Sequence, residues 1–214
     1  MSSPEQLPPD PDAALIADHG ATLVTLASAS IDHGVEQARA LAVDPAEFAP
    51  ALRENHASFV TLTRASELRG CTGSPRAWRP LVLDVAENAF AAAFEDDRFR
   101  PLERGELGDL DITVTLLSPP APLPTASQAG LARALRPGVD GLILEDDARR
   151  GLFLPVVWKT LPEAEDFVAR LKAKAGLAED EWPETLKAHR FTACSISLSE
   201  LGPQPPTTAR NTGS

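Results

Sequence analysis

The feature that most constrains this chain is a change of hydrophobic period at Pro50 and a change back at Pro80. Before Pro50, apolar residues recur at helical spacing: Leu15, Ile16, Leu23, Leu26, Ile31 and Val35. After it, Ser58-Phe-Val-Thr-Leu-Thr-Arg64 alternates and is rich in β-formers, as a half-buried strand requires. Ala65-Ser66-Glu67 is a short turn, and the chain returns from Leu68 as a second strand that ends at two glycines, Gly70 and Gly73. Two adjacent strands with a short link form a hairpin. Pro80 then opens a helix at its first position, where the missing N–H costs nothing.

The remainder repeats this irregular mixture. The helical stretch starts near Asp12, a suitable N-cap, and Gly20 predicts a kink or two helices. The Pro80 helix runs to Phe94, with Leu81, Val82, Val85, Ala86, Ala89, Phe90 and Ala93 on its apolar face. A strand follows over 111–117, closed by the proline-rich run Ser118 to Pro124, then a short helix over 126–135. Short strands are predicted at 142–144 and 152–154 around a polar turn, 145–150. A helix runs from Pro162 to Ala175, stopped by Gly176, and a last strand covers 190–198. Residues 1–11 and 203–214 are expected to be disordered, which leaves 12–202 as one folded unit. With no βαβ repeat, the pattern predicts an α+β fold with a mainly antiparallel sheet flanked by helices. Its core is expected to contain Phe59, Leu62, Val85, Phe90, Ile112, Val114, Phe153 and Phe191.

Charge narrows the function. Twenty Lys and Arg face 31 Asp and Glu, a formal net charge of −11. Such a chain repels a phosphate backbone, so nucleic acid is not an expected partner. Its one basic cluster, Arg69, Arg76 and Arg79, suits a small anion. Two cysteines, Cys71 and Cys194, do not form a disulfide framework. Ala13 to Ile31 is fairly apolar but carries Asp18 and His19, so it reads as a helix outside the membrane. The N-terminus does not resemble a signal peptide, and a cytoplasmic protein is the expectation. No phosphate loop, dinucleotide fingerprint or nucleophile elbow is present. The four histidines are scattered, so no metal and no cofactor are expected.

The candidate site is the stretch Leu68-Arg69-Gly70-Cys71-Thr72-Gly73. A free cysteine is usually a small buried hydrophobe, and a reactive one needs electropositive surroundings. Arg69 is the nearby residue able to stabilise a thiolate, and strand alternation places Arg69 and Cys71 on one face. Gly70 and Gly73 either permit a bulge or turn a bare backbone toward a ligand. The start of the Pro80 helix is expected to add N–H donors to the same neighbourhood. Arg76 and Arg79 read as anion contacts or solvated charges. Asp84 and Asn88, with Glu87 beside them, read as a base or, more simply, as partners that hold the arginines. Cys194 reads as core.

Across 59–196 the chain resembles the AMMECR-type domain family, known also as protein A of the AmmeMemoRadiSam system. The blocks that carry the resemblance are FVTL (59–62), LRGCTG (68–73), RPLVLDVAENAFAAAFEDDRF (79–99), LGDLDITVTLLSPPAPLP (107–124), LRPGVDGLILEDD (135–147), RRGLFLPVVWKTLP (149–162) and FVARLKAKAGL (167–177). The departure is Thr72, where the family pattern usually has isoleucine. The resemblance implies two lobes, with the cysteine loop lining a cleft between them. It also implies association with a Memo-like protein and a radical-SAM enzyme. Two functions follow. One is an accessory or adaptor whose cleft holds a small anionic ligand or a partner segment. The other is an enzyme using Cys71 as nucleophile or redox thiol, with Arg69 as its anion stabiliser. The first is preferred, because no complete catalytic constellation assembles from the sequence.

Overall fold

A computed structural model of the chain describes residues 11–124 and 126–202. The predicted disorder at 1–10 and 203–214 lies outside the described residues. Helix α1 spans Pro11–Gln37, so Pro11 is already helical and Gly20 neither kinks nor divides it. Gly20 is there for contact: a Cβ would come within 2.8 Å of Ile196 Cδ1. By length and composition α1 could cross a membrane. In the fold its stripe Leu23, Val24, Ala27 and Ile31 is buried, packed with helix α3 (Leu81–Phe94) in the larger core.

After the single turn α2 (Pro50–Arg53), the predicted hairpin is present as β1 (Ala57–Arg64) and β2 (Glu67–Gly73). Its two-residue turn, Ala65-Ser66, has both φ angles positive, at 51° and 66°. That is the hairpin geometry whose twist matches the strands. With β3 (Leu110–Leu117) and β8 (Ala193–Ser197) the hairpin completes one antiparallel sheet, ordered β2-β1-β3-β8. A second sheet contains β4 (Ala121–Leu123), β5 (Gly141–Glu145), β6 (Arg150–Phe153) and β7 (Lys187–Phe191), ordered β4-β7-β5-β6. Helices α4 (Gln128–Ala134) and α5 (Ala164–Lys174) supply its core together with Trp158 and Phe167.

The fold is α+β as expected, with two lobes, one per sheet, and a third small cluster between them: Ala57, Leu117, Ile143 and Phe191. Two strand expectations need correction. The last strand is not continuous: it breaks at Thr192, giving β7 to the second sheet and β8 to the first. Alternation continues through the break, so periodicity alone cannot show that the chain changes sheets. The proline-rich run also contains β4, an edge strand, where Pro122 interrupts no central ladder. Of the predicted core, Leu62, Val85, Ile112, Val114 and Phe191 are buried. Phe59, Phe90 and Phe153 are half-buried, with Phe59 at the edge of the cluster between the lobes, Phe153 at the edge of the second-lobe core and Phe90 closing over Gly34.

Candidate functional site

Val60 and Leu62 are fully buried in the core shared with α3, so β1 turns Phe59, Thr61 and Thr63 to the opposite face of the sheet. Cys71 pairs with Thr61, which puts the thiol on that same outer face, and Sγ lies 3.3 Å from Thr61 Oγ1. The row continues across the sheet through Thr113 to Ser197. A parallel row runs from Gly73 through Phe59 and Thr115 to Ser195, where the last two hydroxyls are 2.9 Å apart. Cys71 therefore stands at the border of a field of hydroxyl side chains.

β2 is an edge strand, and at Cys71 its outward backbone groups are taken by side chains instead of another strand. Cys71 N–H donates to Asp96 Oδ2 at 2.9 Å, and Arg98 Nη2 donates to the Cys71 carbonyl at 3.3 Å. Arg98 grips the same carboxylate at 2.6 and 2.8 Å. This bracket blunts the exposed edge. The Arg98 hydrogen bonds, ahead of the Cys71 N–H, hold the Asp96 carboxyl far below the usual carboxylate range. From the other lobe, Lys174 falls within electrostatic reach of both Arg98 and Cys71; partial burial first, then the Arg98 charge, lowers its ammonium, and Cys71 opposes that.

Arg69 is placed differently. The β1–β2 register shifts between Leu62 and Thr63, Arg69 has no partner there, and the alternation that would align it with Cys71 is interrupted. Its guanidinium forms a two-pronged pair with Glu106 at 2.9 and 3.1 Å. That pair, aided by the Glu103 N–H, lowers the Glu106 carboxyl to about 2. Arg69 is thus neutralised away from the thiol, and the cations facing Cys71 are Arg98 and Lys174.

The helix start expected at the site is also elsewhere. Gly70 packs on Ala92, near the C-terminal end of α3, where a Cβ would collide with the Ala92 carbonyl oxygen. The first turn of α3 instead receives Glu54, whose carbonyl accepts the Leu81 N–H. Gly70 faces the helix, and Gly73 is required by Phe59 and Ser58, which leave no room for a side chain. Thr72 pairs with Val60 on the inner side, so the hydroxyl beside the thiol is Thr61.

Arg79, Asp84 and Asn88 form their own closed cluster. Arg79 Nε donates to Asp84 at 2.8 Å, the Ser58 hydroxyl donates to the same carboxylate at 2.6 Å, and Asn88 Nδ2 donates to it at 2.8 Å. With Asp84 fully buried and Asn88 nearly so, this cluster ties α3 to β1. Arg76 is exposed in the following loop, where its N–H reaches Ser74. Cys194 is half-buried and pairs with Leu116. Among the described residues no group of three or more His, Cys, Asp or Glu side chains is arranged to hold a metal ion.

Thr61, Asp96 and Arg98, which touch Cys71, and Lys174, which lies within electrostatic reach of it, are the groups that sequence reading missed. Asp96-x-Arg98 was visible as a spacing at the end of a helix. The pairing of Thr61 with Cys71 needed the hairpin register, and Lys174 required the lobes to be placed.

The comparisons agree with this architecture. The AMMECR1 family model matches residues 24–196. A protein from Methanothermobacter thermautotrophicus is 39% identical over 186 residues, covering 85% of this chain and 95% of its own length. Protein TK0174 of Thermococcus kodakarensis is 37% identical over 185 residues, covering 81% and 87%. Among solved structures, the uncharacterised protein PH0010 from Pyrococcus horikoshii superposes with a TM-score of 0.78 at 33% identity, covering 84% of this chain and 91% of that one.

Proposed function

The chain belongs to the AMMECR1 family, and from that premise we propose that it is a cytoplasmic binding component, an accessory or adaptor, whose groove beside Cys71 receives a small anionic ligand. The observation that carries this reading is the surroundings of Cys71. Its sulfur contacts the Thr61 hydroxyl, and its own backbone is held by the Asp96–Arg98 bracket. A nucleophile is activated by an adjacent base, by nearby cations or by a metal, and no histidine is placed to act as the base here. His19 and His33 lie on α1, on the far side of the sheet, and His56 and His189 lie before β1 and on β7. Arg98 is matched by Asp96, whereas Lys174 pairs with no carboxylate among the described residues, and a cation left over suits holding an anion. The family resemblance supplies the natural setting, a Memo-like protein and a radical-SAM enzyme as partners. Duplex nucleic acid is not a partner in this reading, given the net charge of −11.

The test is an untargeted analysis of small molecules retained by the immobilised full chain and by Cys71→Ala. An anion captured unchanged by the wild type, and retained less by the variant, supports the reading. Chemical conversion of the captured molecule, abolished in Cys71→Ala, would replace it with the enzyme reading. Retention of nothing by either chain would leave the groove without a ligand and sink both.

A further inference from the structure

Between the lobes, close to Cys71, lies a cavity of about 330 Å³. Phe59 and Pro75 line it from the first lobe; Arg150, Gly151 and Leu152 of β6 and Lys174 of α5 line it from the second. We propose that this cavity is a site for a small amphipathic acid, with its anionic head between Lys174 and Arg150 and a ring-sized apolar body over Phe59, Pro75 and Leu152. The inference rests on the anion-binding reading above and names its ligand class and the residues that select it.

Three observations carry it. The first is size: the depression is open to solvent, and its volume, at the small end of ligand pockets, is enough for one ring and a head group. The second is the chemistry of the lining, which combines an aromatic ring, a proline and a leucine with two cations. Pockets of this composition bind by burying apolar area and use a few charges for orientation. The third is an uncompensated charge. Lys174 Nζ donates to the Leu152 carbonyl at 2.9 Å and lies 5.2 Å from the Phe153 ring, and among the described residues no carboxylate pairs with it. Arg150 is held loosely by its cross-strand neighbour Glu145, at 3.4 Å. Arg98, by contrast, is already matched by Asp96. Lys174 is therefore the cation with charge left to offer, and its electrostatic contact with Arg98 is a repulsion that a bound anion would relieve. Because the walls come from both lobes, the ligand would bridge them beside Phe59, whose strand neighbour across β2 is Gly73.

The experiment is an amide-resolved NMR titration of the full chain with four probes: benzoate, phenyl phosphate, benzyl alcohol and inorganic phosphate. Benzoate and phenyl phosphate are expected to move the Gly73, Gly151 and Leu152 amides saturably. Benzyl alcohol, which lacks the charge, and inorganic phosphate, which lacks the apolar body, should each bind at least tenfold more weakly. Lys174→Met should weaken phenyl phosphate at least tenfold, Lys174→Arg should restore most of it, and Arg133→Met, the same charge change on exposed α4 surface, should have no effect. Lys174 is exposed, so the variant is expected to fold, and its own spectrum checks that. Saturable shifts at residues 70–73 that ignore Lys174→Met would overturn this inference and leave the broader anion reading standing. Inorganic phosphate binding as well as phenyl phosphate would overturn the amphipathic selection. No saturable shift with any probe would overturn the inference and the reading beneath it.

Discussion

The two lobes hold a helix layer against a four-stranded sheet by different means. The first lobe is built on small residues that let backbones approach. Gly34 lies against Phe90 and Phe94, Gly70 against the Ala92 carbonyl, and Ala27, Ala86, Ala89, Ala92 and Ala93 are buried between α1, α3 and the sheet. The second lobe is built on large rings. Trp158 and Phe167 stack with centroids 4.0 Å apart, Phe153 meets Phe167 edge-on, and the indole N–H donates to the Asp140 carbonyl at 2.7 Å. Arg149 ties Asp146 to Glu181 at 2.7 Å each, joining the β5–β6 turn to the segment after α5. Close approach tolerates no added atom, whereas a ring stack tolerates no missing one. The contrast predicts opposite sensitivities in the two lobes.

The largest expected effect is in the second lobe. Phe167 is fully buried between two other rings, and Phe167→Ala should cost about 4 kcal/mol by loss of transfer energy and creation of a cavity. Urea unfolding followed by far-ultraviolet circular dichroism measures it, and a loss below about 2 kcal/mol would mean that the lobe repacks and does not depend on the stack. Next comes the first lobe, where addition is the damaging change. Gly70→Ala should cost about 3 kcal/mol, at the upper end of over-packing, because the atom in the way is backbone that no rotamer can move. A midpoint within experimental error of wild type would show that β2 can shift away from α3, and the comparison between lobes would fail.

The same contrast explains what was legible in the sequence. Period and turn chemistry are local, so the hairpin, α3, β3 and the α+β class could be read from alternation and spacing. Small-residue contacts are not local: Gly20 reads as a helix breaker until Ile196 is known to lie against it. The change of sheet at Thr192 is invisible because both sheets want the same alternation. At the site, the chain showed Cys71 and its glycines but misassigned their partners. Strand alternation aligned Arg69 with the thiol, and a single register shift sent it to Glu106. Lys174 lies more than a hundred residues away, and only the lobe arrangement brings it to Cys71.

A smaller effect is the response of the first lobe to pH. Glu106, in the first lobe, has its carboxyl lowered to about 2 by Arg69 and the Glu103 N–H. Its folded value is below its unfolded one, so the unfolded chain binds more protons between them. The pair thus stabilises the fold above the ordinary carboxylate range, and this contribution is lost as pH falls through about 4.5 toward about 2. Asp96 adds to the same slope in the same direction. Arg69→Met should lower stability near neutral pH and flatten the acid decline. Urea midpoints measured from pH 6 to pH 2.5 report both, and an unchanged slope in the variant would remove Glu106 from the account.

The smallest effect sharpens the idea that the first lobe is limited by backbone geometry. Ala65 and Ser66 both sit at positive φ in the hairpin turn, a conformation that costs a residue with a Cβ and costs glycine little. Both residues are exposed, so replacing Ser66 removes no core contact. Ser66→Gly should relieve the strain but also loosen the unfolded chain, two terms of opposite sign. At φ 66° the relief is the larger, because glycine at the second position is the preferred chemistry of this turn. The net expectation is a gain of about 0.5 kcal/mol. Ser66→Ala keeps the Cβ and should gain nothing, which isolates the backbone effect from the loss of the hydroxyl. If both substitutions move the urea midpoint equally, turn strain is not what limits the hairpin that carries Cys71.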